Sequence, residues 1–359
     1  MALIPIIRPE AITPDWLSAV LRAGGVEARV ADFSAKPVGT GQIGQSIRFA
    51  LDYEKPAPDA PASLVGKFPS PGEESRATGA ALGNYIREVK FYKHLAPTAL
   101  IATPRCWFTD VDPATHEFVL MMEDLSPAEQ GDQLKGCTVE QARLAVREAA
   151  NLHASHWNDA AIEDLAWVSG TRAAGAAGSA DPNAVVVLWQ AFCARYGERV
   201  SSDSRRVGDA LVANFGRYAM HQGPKSLVHI DYRPDNIMFA TPAGGRPLTV
   251  LDWQSLAFGL GVTDVAYFLA GALPRETRRA LEKDFLREYH ERLRALGVKD
   301  YDFDVLWRDY RSRAFALFTV AFYASMIVTQ TPRGDDMFMQ MLASATHQVL
   351  DLDSLDFLK

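Results

Sequence analysis

The chain has 359 residues, 48% of them hydrophobic and 23% charged, with a formal net charge of −7. That length allows two compact domains or one large two-lobed unit, and the acidic balance, with no block of Lys and Arg, argues against nucleic acid as the main partner. Cys106, Cys137 and Cys193 are scattered and form no C-x-x-C pair, which argues against a disulfide framework or zinc site and fits a reducing cytoplasm.

The opening residues lack a basic n-region and a continuous apolar h-region, so no secretory signal is expected. The first part of the chain reads as mostly β. Residues 30–38 and 46–53 look like strands around the turn GTGQIG at 39–44. A Pro-rich connector at 55–61 leads to a third strand at 63–68. Residues 84–94 have helical periodicity, and 106–109 and 117–122 read as two further strands.

After Glu123 and Asp124 the composition shifts and helices dominate. Residues 138–157 carry apolar positions at helical spacing, with Thr138 as N-cap and Gln141 three residues on. The Gly- and Ala-rich stretch 170–181 reads as a flexible loop. Two short β-like segments follow, 227–230 and 248–251, and then long amphipathic helices near 276–296, 303–329 and 335–352. The apolar run 314–328 is shorter than the about 20 residues a bilayer span needs and reads as a buried helix.

The strongest chemical signal is the stretch LVHIDYRPDNIMF at 227–239, which has the form H-x-D-x-x-x-x-N between apolar flanks, with Asp252 downstream after Val-Leu. Phosphoryl transfer needs mainly positioning and charge neutralisation. One carboxylate must orient the attacking hydroxyl, while an amide oxygen and a second carboxylate hold Mg²⁺, an ion that prefers hard oxygen ligands. Asp231, Asn236 and Asp252 supply that set in the order of a kinase catalytic loop and metal loop. Arg233 could reach the transferring phosphate, and His229 would hold loop backbone. A Pro-Asp-Asn turn can carry such residues for turn chemistry alone, but the three together, with strand-like flanks, point to catalysis. Gly39, Gly41 and Gly44 could let backbone approach phosphates; a plain hairpin turn explains them almost as well. His153 and His156, three apart on one helix with no third ligand nearby, read as packing.

These pieces resemble the aminoglycoside phosphotransferase and choline kinase superfamily, most of all its ecdysteroid-kinase-like branch, over roughly 38–273. SLVGKF at 63–68 is similar to the strand bearing the ATP lysine, REVKFYK at 87–93 to the helix bearing its glutamate, and VLMMEDL at 119–125 to the hinge. ANLHASHW at 150–157 resembles the helix behind the catalytic loop, and GVTDVAYF at 261–268 the segment after the metal aspartate, where Asp264 would be structural. The resemblance implies an α+β, bilobal protein-kinase-like fold, with an ATP-binding lobe at 1–122 and a catalytic and substrate-binding lobe at 123–359. It implies ATP and Mg²⁺ as cofactors, Lys67 on the α- and β-phosphates held by Glu88, and backbone groups at Met122, Glu123 and Asp124 on adenine. The expected activity is transfer of the γ-phosphate to a hydroxyl of a small, neutral or partly apolar molecule. The alternatives are a catalytically silent nucleotide-binding scaffold and a kinase for a cationic acceptor. The Asp-Phe-Gly and Ala-Pro-Glu signals of a protein kinase are missing, since Trp253 and Gln254 follow Asp252.

Overall fold

Thr13 starts the first helix, α1 (Pro14–Ala23), by accepting the Trp16 N–H on its side-chain oxygen at 3.2 Å. Pro14 occupies the first turn, where a missing N–H is harmless. This helix lies in the stretch that reads as mostly β, and the Thr-Pro-Asp start is the signal that reveals it. The computed structural model describes residues 4–39, 43–55, 58–169 and 182–359. The glycine-turn residue Gly41 and the Gly/Ala-rich stretch 170–181 lie outside the described residues.

The chain divides into two units. The first comprises residues 1–98, 103–127 and 251–254, and the second residues 99–102, 128–250 and 255–359. In the first unit the strands β1 (Val30–Val38), β2 (Gly44–Tyr53), β3 (Ser63–Pro69), β4 (Cys106–Val111) and β5 (Phe118–Glu123) form one antiparallel sheet in the order β1-β2-β3-β5-β4. Side chains alternate between sheet faces. On β5, Val119 and Met121 join Trp16, Leu17, Val20 and Leu21 of α1 in one core with Phe49, Leu64 and Phe68. Phe118 instead stacks on Tyr85, with centroids 4.7 Å apart. Tyr85 belongs to α3 (Asn84–Lys90), which follows α2 (Glu73–Ala81) and runs on into a π-helical turn, Phe91–Leu95. Each such apolar side chain contributes about 1.5–3 kcal/mol on full burial.

The second unit is mostly helical. It contains α4 (Val139–Ser155), α5 (Ala160–Glu163), α6 (Ala166–Ser169), α7 (Pro182–Tyr196), α8 (Ser202–Ala213) and α9 (Phe215–Met220). After the strand region come α10 (Val262–Ala272), α11 (Arg275–Ala295), α12 (Phe303–Ser312), α13 (Ala316–Ile327) and α14 (Pro332–Asp351). The Thr138–Gln141 capping box forms as its spacing predicts, each side chain bonding the other's backbone N–H. Helix α10 is buried along nearly its whole length, so it packs on neighbours on all sides. Two small antiparallel sheets complete the unit: β6 (Glu129–Gln130), β8 (Ile237–Thr241) and β9 (Gly244–Val250) in the order β6-β8-β9, and β7 (Lys225–Val228) with β10 (Ala257–Leu260).

One expected helix, 303–329, is two. The chain breaks between Ser312 and Ala316, where the buried Arg313 donates to the Tyr218 carbonyl at 2.6 Å and lies over its ring. The aromatic side chains Tyr310, Phe315, Phe318 and Phe322 of this stretch are fully buried in the core. Cys106, Cys137 and Cys193 are free thiols. Among the described residues no helix is long and apolar enough to cross a membrane.

Candidate active site

The first unit gathers a charged cluster around Lys67. Strand β3 runs between β2 and β5, pairing Lys67 with Ser46 on one side and Leu120 on the other. The Lys67 ammonium lies 2.8 Å from Glu88 Oε2, and that carboxylate is itself buried on α3. It also lies 3.4 Å from Asp252 Oδ1. Burial works against the charged amine, but the Asp252 and Glu88 carboxylates prevail and raise its pKa, so Lys67 stays an ammonium.

The segment carrying Asp252 is seated by its neighbours. Trp253 is buried and stacks on Phe91 at 3.9 Å, nearly parallel. Gln254 donates its amide to Glu88 Oε2 at 3.1 Å, and its carbonyl accepts from Arg87. Asp252 itself takes the left-handed backbone region at φ 64°, a conformation that non-glycine residues adopt at a cost and that concentrates at functional positions.

Gly44 opens β2 beside this cluster. A Cβ there would come to 3.0 Å from the Phe68 carbonyl oxygen and 3.4 Å from Lys67 Cε, so only glycine fits without displacement. Gly39, at φ +75°, needs glycine for its backbone. At the expected hinge, Met122 and Glu123 pair with Val65 and Leu64 of β3. The Asp124 side chain is committed to the fold: it accepts from Ser63 Oγ at 2.6 Å, Arg48 Nη2 at 3.0 Å and the Ser126 N–H at 3.0 Å. Sequence reasoning, which gave side chains at the hinge little weight, missed this brace.

The second unit holds the other sequence-predicted residues, on the loop between β7 and β8. Ile230 stands at φ 71° immediately before Asp231; for a β-branched residue this is a genuine outlier. The strain is held by Asp264, fully buried near the start of α10, whose carboxylate accepts the His229 N–H at 2.7 Å and the Ile230 N–H at 2.9 Å. His153 Nε2 lies 3.2 Å from Asp264 Oδ2, and its Nδ1 lies 2.8 Å from the Tyr289 hydroxyl. Since a carboxylate only accepts, Nε2 carries the proton and Nδ1 accepts from Tyr289. His153 therefore serves packing and support. His229 is buried and packs edge-on to Tyr232.

Asp231 is the most heavily contacted carboxylate of this loop. Oδ1 accepts from the Tyr267 hydroxyl at 2.8 Å, and Oδ2 from Asn236 Nδ2 at 2.8 Å. Arg233 Nε lies 3.0 Å from Oδ1 and 3.2 Å from Oδ2. Burial alone would raise the Asp231 pKa; the Arg233 guanidinium, helped by Tyr267, His229 and Asn236, more than reverses this and holds it below the ordinary carboxylate value. Arg233 also pairs with Asp235 at 2.5 Å. Asp235 in turn accepts the Gln133 N–H at 2.9 Å, and Gly131 lies so near the loop that a Cβ would sit 2.5 Å from the Pro234 oxygen.

The structure thus brings Lys67, Glu88 and Asp252 together in the first unit, and Asp231, Arg233 and Asn236 together in the second. Sequence reasoning missed Gln254, Asp235 and Tyr267 as partners of these groups. Tyr267 carried a legible signal, because it stands three residues after Asp264 and residues three apart share a helix face.

A profile of the family described as "phosphotransferase enzyme family" matches residues 49–302, well over half of the chain. No curated protein matches the sequence. Among solved structures, the chain is similar to a protein of Ralstonia eutropha JMP134 provisionally named an aminoglycoside phosphotransferase, with 17% identity, 94% of this chain and 97% of that one covered, and a TM-score of 0.52. It is also similar to aminoglycoside 2'-phosphotransferase-IIIa in complex with GDP, at 15% identity, 88% and 93% coverage, and a TM-score of 0.51. The GDP and kanamycin complex of APH(2")-IIIa is similar at 15% identity, 94% and 98% coverage, and a TM-score of 0.51. At such identities the likeness is one of fold: a β-sheet N-terminal region with a helical C-terminal region, as in the protein-kinase-like phosphotransferases.

Proposed function

The chain belongs to the phosphotransferase enzyme family, and on that premise we propose that it transfers the γ-phosphate of ATP, with Mg²⁺, to a hydroxyl of a small neutral or partly apolar molecule. The observation that carries this reading is the state of Asp231: ionised, pinned through both oxygens, and seated after a strained residue that a buried carboxylate holds in place. That is the condition of a group that must receive a proton from a defined direction. The first unit is read as the nucleotide-binding lobe and the second as the catalytic and acceptor-binding lobe.

In this reading Asp231 orients the acceptor hydroxyl and takes its proton. Lys67, kept charged by Glu88 and Asp252, pairs with the α- and β-phosphates. Backbone groups of Met122, Glu123 and Asp124 serve adenine, and Gly44, beside Lys67, lets backbone approach the phosphates. Arg233 neutralises Asp231 and offers a guanidinium toward the transferring phosphate. The donor chemistry of Asp252 and Asn236 fits Mg²⁺. Both are hard oxygen ligands, the Asp252 side chain is 37% exposed, and Asn236 spends its amide nitrogen on Asp231, leaving its oxygen uncommitted among the described contacts. Mg²⁺ usually takes only one or two protein carboxylates beside water and phosphate oxygens; bound, it neutralises charge on the phosphates.

The acceptor's neutrality is supported by the acidic residues of the helical unit. A polycation would need several free carboxylates converging. Yet among Glu282, Asp284, Glu288, Asp302, Asp304 and Asp309, the first three are bonded to Arg278, Arg287 and Arg143 and the last to His221 and Tyr301, which leaves Asp302 and Asp304 at the start of α12. The resemblance to the ecdysteroid-kinase-like branch points to the same substrate class. The test is ADP release from Mg-ATP in the presence of sterol alcohols, aryl alcohols, choline and kanamycin, with phosphorylated product identified by mass. Turnover with a neutral alcohol is expected. Efficient kanamycin phosphorylation with the alcohols inert would overturn the acceptor class, and Mg-ATP binding without turnover on any acceptor would favour a silent scaffold.

A further inference from the structure

We propose that Tyr267 is a positioning residue for phosphoryl transfer: its hydroxyl fixes the orientation of the Asp231 carboxylate. This rests on the reading of Asp231 as the group that receives the acceptor's proton. The Tyr267 side chain is buried, 1% exposed, and its hydroxyl donates to Asp231 Oδ1 at 2.8 Å. Asp264 lies one turn earlier on α10 and holds the His229 and Ile230 N–H groups. One helix face therefore sets both the backbone leading to the base and the carboxylate itself.

An ionised carboxylate offers about four acceptor positions. On Asp231, Tyr267 takes one on Oδ1 and Asn236 takes one on Oδ2, while Arg233 Nε lies across both oxygens at 3.0 and 3.2 Å. Arg233 is the contact able to yield, because it has a second and shorter partner in Asp235 at 2.5 Å. An arriving hydroxyl can then use a vacated position only while Tyr267 and Asn236 still pin one oxygen each. Without the Tyr267 hydroxyl, Oδ1 keeps only the contact that must give way. The terminal torsion of an Asp side chain is broad, so the carboxylate would turn. As the acceptor oxygen bonds the γ-phosphorus, the β–γ bridging oxygen leaves with its electron pair on ADP and the acceptor's proton passes to Asp231. Tyr267 keeps its own proton throughout.

The experiment compares the full-length wild type with Tyr267→Phe, Asp231→Asn and Tyr310→Phe, on whichever alcohol of the panel above gives the highest turnover. Phe fills the same buried space and donates nothing. The expected result for Tyr267→Phe is a kcat lowered about 10- to 100-fold, the kinetic counterpart of one hydrogen bond to a charged group, with KM for ATP and acceptor unchanged. Tyr310→Phe removes a different buried hydroxyl, bonded to Glu282 at 3.2 Å, and should lower the thermal midpoint without changing kcat. Wild-type kcat in Tyr267→Phe, alongside an inactive Asp231→Asn, would overturn the proposal and leave the functional reading standing. So would a loss of activity that merely follows the unfolded fraction. A fully active Asp231→Asn, or no turnover by the wild type, would overturn both. Crystal structures give a readout independent of any acceptor: Asp231 should hold one carboxylate orientation in the wild type and turn or split in Tyr267→Phe. An unchanged orientation would refute the role.

Discussion

Two ionic clusters in this molecule are built from similar parts and differ in charge balance and in backbone strain. In the first unit, Lys67 faces two carboxylates, Glu88 and Asp252, and Asp252 sits on left-handed backbone with its side chain 37% exposed. In the second, Arg278 and Arg275 face two carboxylates, Glu282 and Asp351, all on helices, with Asp351 only 7% exposed. Tyr310 and Gln348 complete that network, Tyr310 donating to Glu282 at 3.2 Å and accepting from Gln348 at 2.9 Å. In the second, each carboxylate has an arginine partner, Arg278 for Glu282 and Arg275 with Arg278 for Asp351. The first has one ammonium for two carboxylates, a residue on left-handed backbone and a carboxylate 37% exposed, the state that the Mg²⁺ role proposed for Asp252 requires.

The sharpest way to break the comparison is through activity. Asp231→Asn, the base of the proposed reaction, should lower kcat by about 10²–10⁴ while ATP affinity, read by titration calorimetry, holds. Asp252→Gly should abolish the Mg²⁺-dependent part of nucleotide binding and yet leave the apo protein at least as stable, because glycine accepts φ 64° freely. A loss of apo stability in that variant would place Asp252 with the structural cluster.

The structural cluster should respond in the opposite sense. Arg278→Met leaves Glu282 without a cation in the interior, while Asp351 keeps Arg275, and should cost about 3–5 kcal/mol in urea unfolding, with kcat per folded molecule unchanged. A smaller effect is expected in acid. Burial would raise the Asp351 pKa, but bonds and charge from Arg275 and Arg278 lower it below the ordinary carboxylate value. A group with a depressed folded pKa stabilises above its unfolded value and loses that contribution as pH falls through the folded one. Wild-type stability should therefore decline below about pH 4, and Asp351→Asn should show a shallower decline in urea midpoints.

Much of this was legible in the sequence because local rules set it. The strands at 30–38 and 63–68, the Thr138 cap and the His229-to-Asn236 spacing depend on neighbours within a few residues, and each appears in the structure near its expected bounds. What escaped depends on contacts made far along the chain. The break before α13 follows from Arg313 reaching Tyr218, and the brace at Asp124 from Ser63 and Arg48. The partnership of Gln254 with Glu88 spans 166 residues. Helix α1 was the exception, a local signal overlooked in a region dominated by β periodicity.

The grip of Asp264 on the loop carries a consequence for how the loop moves. Surface loops ordinarily exchange their amide hydrogens through small local openings. The His229 and Ile230 N–H groups instead donate to a carboxylate that is fully buried on α10. Their exchange with deuterated solvent must wait for the loop to part from that carboxylate. Two amides beside Asp231 would then exchange more slowly than those of an ordinary surface loop, and slow protons would mark the place where a proton is proposed to move in each turnover.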